Sequence, residues 1–151
     1  ERLDMSEVVE AALARAARRG PNITFHTSLE PVPILGDAST LERAITNLLD
    51  NAVKFSPSDG EIWVELTSAG VLTIIDSGPG VADEDLPHIF DRFYRSDRAR
   101  NTPGTGLGLA IVTHTVEAHG GSVRAGNQPG AGAKFTMRLP VLAAPESPLS
   151  P

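Results

Sequence analysis

The sequence has no cysteine, and this absence excludes several kinds of chemistry. Disulfides, Cys-ligated zinc, iron–sulfur clusters and thiol catalysis all need cysteine, so we expect no redox role and a chain compatible with a reducing compartment. Long apolar runs are also missing, since none approaches the roughly 20 residues that span a bilayer. The first residues lack the apolar core of a signal peptide. We therefore expect a soluble piece of protein.

Basic residues are in the minority. Thirteen Lys and Arg stand against 19 Asp and Glu, and the resulting net charge of −6 disfavours a general binder of nucleic acid or anionic membranes. With 151 residues, 40% of them hydrophobic and 21% charged, the chain has the length and composition of one ordinary domain. Four histidines remain as candidates for proton or phosphoryl chemistry.

The periodicity of apolar residues predicts three helices and six short strands. The helices are expected over residues 4–19, 37–55 and 107–119. The strands are expected over residues 23–26, 32–35, 61–66, 71–75, 122–126 and 133–139. Asp4 and Glu7 form a capping box for the first helix, and Asp37 is the cap of the second. Because hairpins accompany the helices, we predict an α+β domain with a mixed sheet rather than a doubly wound parallel sheet.

Two segments depart from this regular pattern. Residues 77–106 hold three prolines, four glycines and many charges, and a loop of this length in a compact domain is usually functional, often a lid. Residues 143–151 include three prolines and are predicted to be a disordered tail. The expected organisation is therefore one domain over residues 1–142, with a lid at about residues 81–106, and a tail.

The second predicted helix carries a polar stripe beside its apolar face. Arg43, Asn47, Asn51 and Lys54 share this stripe, roughly 120° from the apolar face. Carboxamide oxygens suit a hard cation, and an ammonium suits a phosphate. For Arg43 and Lys54 taken alone, a solvated helix face is the favoured interpretation. Two asparagines at matched spacing are less easily explained in this way, because asparagine is a poor helix former.

Glycines at two places would allow backbone to approach a ligand. Asp76 ends an apolar strand and precedes Gly78 and Gly80, so a carboxylate that could accept from an exocyclic amine lies beside flexible backbone. Taken by itself, the segment is better explained as an ordinary strand-to-loop turn. Residues 104–109 run into the third helix, where backbone N–H groups would point at an anion. This run is neither a Rossmann fingerprint nor a Walker P-loop, because no strand precedes it and no Lys-Ser/Thr follows.

Arginines are concentrated in the predicted lid. Four of them lie in residues 92–100, among Phe90, Phe93 and Tyr94, which could anchor the lid to the body of the domain. Guanidinium groups suit phosphate oxygens. Arg92 and Arg95 are the better candidates for such contacts. Arg98 and Arg100 fit a solvated charge cluster or a nucleic-acid patch.

Taken in order, four segments resemble the asparagine, first glycine, phenylalanine and second glycine boxes of sensor histidine kinases. They are residues 47–55, 76–80, 90–95 and 104–109. The resemblance covers about residues 30–140. It implies the Bergerat-type ATP-binding fold that is shared with gyrase-type ATPases and the heat-shock chaperone. That fold is a two-layer α/β sandwich in which three helices back a mixed, mostly antiparallel sheet of about five strands, with a long ATP lid.

The resemblance also implies roles for individual residues. Asn51 would coordinate a magnesium ion that bridges the phosphates, with support from Asn47. Lys54 would contact a phosphate, and Asp76 would contact the adenine amine. One of the lid arginines, Arg92 or Arg95, would stabilise the γ-phosphate. The remaining residues implied in nucleotide binding are Gly78, Gly80, Gly104, Thr105, Gly106, Leu107 and Gly108. Ala133 stands where the family often has threonine, so one polar contact near the adenine would be lost or replaced by water.

The residue at position 47 discriminates between branches of the family. In the gyrase and chaperone branches the resemblance places a glutamate there, as the general base that activates water. Asn47 cannot take a proton near neutral pH, which disfavours hydrolysis and favours transfer to another nucleophile. Magnesium-ATP is the implied cofactor, and the implied activity is that of a protein-histidine kinase.

The phosphoacceptor is expected outside this chain. None of His26, His88, His114 and His119 lies in a His-Glu-Leu-Arg-Thr-Pro-like helix, and we interpret His114, facing the core, and His119, at a helix end, as structural. The resemblance therefore implies a cytoplasmic catalytic domain, monomeric when isolated. It would act on a separate dimerisation and phosphoacceptor domain of a homodimeric membrane kinase that feeds a response regulator. The alternatives are a nucleotide-sensing module without transfer, or an anti-sigma-type serine kinase.

Overall fold

The computed structural model describes residues 1–91 and 108–143, which form three helices, seven strands and a short 3₁₀ turn at Leu86–His88. The helices are α1 (Met5–Arg19), α2 (Ala38–Phe55) and α3 (Gly108–Ala118). The strands are β1 (Arg2–Asp4), β2 (Thr24–Leu29), β3 (Pro33–Leu35), β4 (Glu61–Leu66), β5 (Val71–Ile75), β6 (Ser122–Asn127) and β7 (Ala133–Arg138). Among these residues no helix is both long and apolar enough to cross a membrane.

Five strands form one mixed sheet in the order β2-β4-β5-β7-β6. Only the β2–β4 pair is parallel, and the other three pairs are antiparallel. Alternate residues of the central strands are buried, as Ile62, Val64 and Leu66 of β4 show, and they share one apolar cluster with the buried faces of the helices. The predicted α+β architecture, with three helices backing a five-stranded sheet, is confirmed.

The apolar face predicted for α2 forms the centre of this core. Leu41, Ile45, Leu48 and Ala52 are almost completely buried. Asp37 caps the helix by accepting hydrogen bonds from the backbone N–H groups of the next turn. The hydrogen bond from the Ser39 hydroxyl, with those from the backbone, lowers the pKa of Asp37 below its usual value.

Two strands differ from the prediction. β1 is absent from the prediction, because three residues are too few to show a periodicity. It forms through antiparallel pairing with β3, in a two-stranded sheet apart from the main one. β2 continues to Leu29 rather than ending at His26, because parallel pairing with β4 runs along its whole length, from Thr24 opposite Glu61 to Leu29 opposite Leu66.

The prediction that His114 faces the core is wrong. The buried side of α3 runs through Val112, Thr115 and Val116, which leaves His114 exposed. His119 does have a structural role. Its Nδ1 lies 2.8 Å from the carbonyl oxygen of Thr115, and its Nε2 accepts from the backbone N–H of Asp37 at 3.1 Å. These contacts connect the end of α3 to the cap of α2.

Candidate functional site

The polar stripe of α2 faces the beginning of α3. Asn47 and Asn51 are half-buried, and Asn47 Nδ2 donates to the carbonyl oxygen of Gly108 at 3.4 Å. Lys54 is exposed, one turn beyond Asn51, with its Nζ 5.3 Å from the centroid of the Phe55 ring. The structure therefore brings Asn47 together with Gly108, the residue at which the predicted glycine run enters its helix.

The two acidic residues of α2 pair with arginines of α1. Glu42 pairs with Arg15 of α1, with 3.4 Å between Oε1 and Nε. Asp50 contacts Arg19 of α1 through Oδ2. Both carboxylates of α2 therefore pair with α1, although Asp50 lies within one turn of Asn47 and Asn51.

Asp76 follows β5 and is 2% exposed. Its Oδ1 accepts from the backbone N–H of Gly78 at 3.0 Å and from that of Ala133 at 2.9 Å. Burial raises the pKa of Asp76 above its usual value, and the two backbone hydrogen bonds offset only part of that effect. Oδ1 thus holds the carboxylate in place, and Oδ2 is a second acceptor atom on the same side chain.

Gly132 leaves no room for a side chain in this arrangement, although little in the sequence marks it as a site residue. A Cβ at this position would lie 2.1 Å from Asp76 Oδ1 and 2.7 Å from the Gly78 nitrogen. The backbone N–H of Gly132 also donates to the carbonyl oxygen of Asp76 at 2.9 Å. The only signal in the sequence is a glycine immediately before a predicted strand, and many turns have one.

The turn after Asp76 packs against the end of α2. A Cβ on Gly78 would lie 2.4 Å from the carbonyl oxygen of Phe55. The backbone N–H of Ser77 donates to Ser56 Oγ at 3.2 Å, and Ser77 Oγ accepts from the N–H of Glu61 at 3.0 Å. The Asp76 turn and the polar stripe therefore lie at adjoining parts of one surface, with the Lys54 end of the stripe nearest to the turn.

The residues that begin the predicted lid pack on the sheet. Ile89 is 8% exposed, and the Phe90 ring meets the ring of Phe135 in β7 edge to face, with centroids 6.1 Å apart. Phe90 thus packs on the body of the domain, as its predicted anchoring role requires. The other predicted lid anchors and contacts lie outside the described residues. They are Phe93, Tyr94, Arg92, Arg95, Gly104, Thr105, Gly106 and Leu107.

The side chains present fit a magnesium ion that arrives with phosphates. In the part of the chain that the structure describes, no three His, Cys, Asp or Glu side chains cluster to hold a metal. Magnesium in nucleotide sites usually takes one or two protein oxygens and completes its octahedron with phosphates and water. The carboxamide oxygens of Asn47 and Asn51 meet that requirement, whereas a resident metal would need a larger protein ligand set.

Comparison with known proteins agrees with this geometry. Residues 36–143 match the model of the family described as histidine kinase-, DNA gyrase B- and HSP90-like ATPase. The chain belongs to this family. Its relatives within the family include sensor histidine kinases. Their fold and activity agree with the implications of the four boxes.

Individual relatives point the same way. The chain is 43% identical over 150 residues to the signal transduction histidine-protein kinase/phosphatase MprB of Mycobacterium sp. (strain KMS), covering 93% of this chain and 29% of that protein. A solved mycobacterial sensor histidine kinase MprB is 40% identical, with a TM-score of 0.87 over 93% of this chain and 98% of that one. The ATP-binding domain of PrrB from Mycobacterium tuberculosis is 28% identical, with a TM-score of 0.73 over 94% and 97%. The chain thus spans under a third of the curated relatives' length.

Proposed function

We propose that this domain binds magnesium-ATP and transfers the γ-phosphoryl group to a histidine on a separate helical phosphoacceptor domain. The observation that carries the proposal is the chemistry of the α2 face beside Gly108. That face presents the carboxamides of Asn47 and Asn51, while both carboxylates of α2 pair with arginines of α1. The carboxamide of Asn47 cannot take a proton from water near neutral pH, so transfer is favoured over hydrolysis.

The adenine would lie against the turn at Asp76. The second oxygen of the carboxylate would accept from the exocyclic amine, since Oδ1 is already occupied by the N–H groups of Gly78 and Ala133. Gly78 and Gly80 would let the backbone approach the base. The contact of Ala133 with Asp76 uses its backbone, so an alanine side chain at this position does not impair it.

The phosphates would lie along the stripe of α2 and the beginning of α3. Asn51 would hold the magnesium ion, which neutralises phosphate charge when bound, and Asn47 would support Asn51. Lys54 would contact a phosphate. We extend the proposal to the phosphate contacts implied for Gly104, Thr105, Gly106, Leu107 and Gly108, and for Arg92 and Arg95.

The transfer itself requires positioning more than covalent participation by the protein. The bond between the γ-phosphorus and its bridging oxygen breaks, and ADP leaves with the electron pair. A bond forms between that phosphorus and a neutral imidazole nitrogen of the acceptor histidine. The residues of this chain would align the triphosphate, neutralise its charge and withhold a base from water.

We propose further that the whole protein resembles its longer relatives in architecture. The chain spans 29% of the curated MprB protein from strain KMS. The rest would supply dimerisation and acceptor helices and membrane spans, so that the full protein is a homodimer in the bacterial cell membrane with this domain on the cytoplasmic side. A response regulator would then take the phosphoryl group. The relatives favour neither a sensing module without transfer nor an anti-sigma-type serine kinase.

The test is a transfer assay with purified chain, magnesium-ATP labelled at the γ-phosphate and a separately purified phosphoacceptor domain of a sensor histidine kinase. We expect acid-labile, alkali-stable label on the acceptor. Asn51→Ala should abolish it, whereas Asn22→Ala, at an exposed turn between α1 and β2, should not. Equal labelling by wild type and Asn51→Ala, or release of phosphate to water faster than transfer, would overturn the proposal.

A further inference from the structure

Asn127, the last residue of β6, is exposed, yet both polar atoms of its side chain bond to one distant residue. Its Oδ1 accepts from the backbone N–H of Val81 at 2.7 Å, and its Nδ2 donates to the carbonyl oxygen of Val81 at 2.8 Å. The two residues are 46 positions apart in the chain. A side-chain amide thus satisfies both backbone groups of Val81, as a neighbouring strand would.

The backbone at Gly80 is shaped to permit this pairing. Gly80 has a φ of +80°, a conformation that side chains with a Cβ rarely adopt. A Cβ at Gly80 would also lie 2.7 Å from Asn127 Oδ1. The left-handed backbone of Gly80 and its lack of a side chain therefore allow the Asn127 carboxamide to reach the backbone of Val81.

Val81 separates two parts of the candidate site. Before it lies the turn from Asp76 to Gly80, whose beginning is held by the bonds of Asp76 Oδ1. After it the chain leads to Ile89 and Phe90, which pack on the core and on Phe135. The Asn127–Val81 pair fixes the chain between these two anchored points.

We propose that Asn127 is a positioning residue that sets the affinity for ATP by fixing the Gly80–Val81 backbone at the rim of the adenine site. Asn127 acts through Val81 and does not touch the transferring phosphoryl group. Its loss should therefore weaken nucleotide binding and leave the rate of transfer at saturating ATP unchanged. The adenine site to which this inference refers rests on the proposed function.

The test compares Asn127→Ala and Asn127→Asp with wild type, using Asn22→Ala as the matched control at an exposed asparagine. We expect Asn127→Ala to raise the Kd for magnesium-ATP about tenfold by titration calorimetry, in line with the loss of two surface hydrogen bonds. Amide exchange at Val81 should accelerate, and kcat in the transfer assay should stay within about twofold. Asn127→Asp keeps the acceptor for the Val81 N–H but opposes the Val81 carbonyl with a carboxylate. It should therefore retain part of the protection and still bind ATP more weakly.

The outcomes separate this inference from the proposed function. Faster exchange at Val81 with an unchanged Kd in either variant would show that the pair does not control binding. A lowered kcat with an unchanged Kd would also contradict a positioning role at the adenine end. If Asn127→Ala does not fold, the Kd of Asn127→Asp decides. A wild-type chain that binds no ATP would overturn both the proposed function and the role of Asn127. If the Kd values change as expected but no transfer is detected, only the proposed function is overturned.

Discussion

At the scale of single residues, Asp76 combines deep burial with an anchoring role for only one of its oxygens. The buried carboxylate is less stable when ionised, and its pKa is accordingly raised. The buried charge therefore lowers the free energy of unfolding. This loss of stability is absent when the pH is below the ordinary pKa of 3.8, and it develops as the pH rises through the higher pKa of the folded state. A group that binds ligand and opposes folding is typical of a functional site.

Asp76→Asn should therefore separate binding from stability. An asparagine can keep Oδ1 as acceptor for Gly78 and Ala133, and it removes the buried charge. We expect the free energy of unfolding at pH 7 to be equal to or above that of wild type, measured in urea. The affinity for ATP should fall by about ten- to a hundredfold, since the amine loses its acceptor. Lower stability at pH 7 together with unchanged affinity would contradict this role.

Gly132 offers a second test at the same scale. In Gly132→Ala the new methyl group would lie 2.1 Å from Asp76 Oδ1 and 2.8 Å from the Asp76 carbonyl oxygen, so the turn must move. We expect unfolding in urea to cost about 1–3 kcal/mol less than in wild type, with ATP binding severely weakened. Gly126→Ala is the matched control, because a Cβ at that position would meet no atom within 4 Å and the φ of Gly126 is not positive. Equal stability of the two variants would refute the account.

At the scale of elements, the beginning of α1 depends on Asp4. Its Oδ1 accepts from the N–H and the hydroxyl of Ser6 and from the N–H of Val32, at 2.9 to 3.1 Å. One side chain thus caps the helix and holds the chain that enters β3. Burial raises the pKa of Asp4, but the hydrogen bonds from Val32 and Ser6 outweigh it and leave the pKa below 3.8.

Asp4→Ala should consequently destabilise the fold by about 1–2 kcal/mol at pH 7. Because the pKa is lowered by folding, this contribution is present above pH 3.8 and is lost as the pH falls through the lower pKa of the folded state. Urea unfolding of wild type and variant between pH 2 and pH 7 measures the difference. Asp59→Ala, at an exposed turn before β4, should change little. A difference that is independent of pH would argue against the capping interaction.

Elements are predicted well wherever local pattern decides them. The cap at Asp37 and the apolar face of α2 depend on residues within a few turns, and both are found in the structure. The length of β2 depends on its partner β4, and β1 exists only because β3 lies beside it. Pairing between distant segments leaves little trace in either segment alone.

At the scale of the whole molecule, ATP binding and folding are linked. A ligand that binds only the folded state raises the free energy of unfolding by about 2.7 kcal/mol at a concentration of one hundred times its Kd. For a domain of this size we expect the Tm to rise by about 5–10 °C. Asp76→Asn at the same ATP concentration should show about half of that rise or less, although its own Tm without ATP is not lowered. Differential scanning calorimetry checks both, and an equal shift in both proteins would contradict the assigned adenine contact.

The residues of the four boxes, the helix caps and the mixed sheet could all be recognised from the order and spacing of residues. Within one helix or strand, the polar side chains that could bind a ligand fall on a predictable face, because the helix and strand periods are constant. The partners of Asp76 and Val81 could not be recognised, because Ala133 and Asn127 lie 57 and 46 residues away and are ordinary residues at the ends of two strands. Likewise His114 has the same local pattern whether it faces the core or solvent, and only the packing of α3 leaves it outside. Contacts of this kind form only when distant strands have paired into the complete sheet. They therefore depend on the arrangement of all the strands rather than on any one segment.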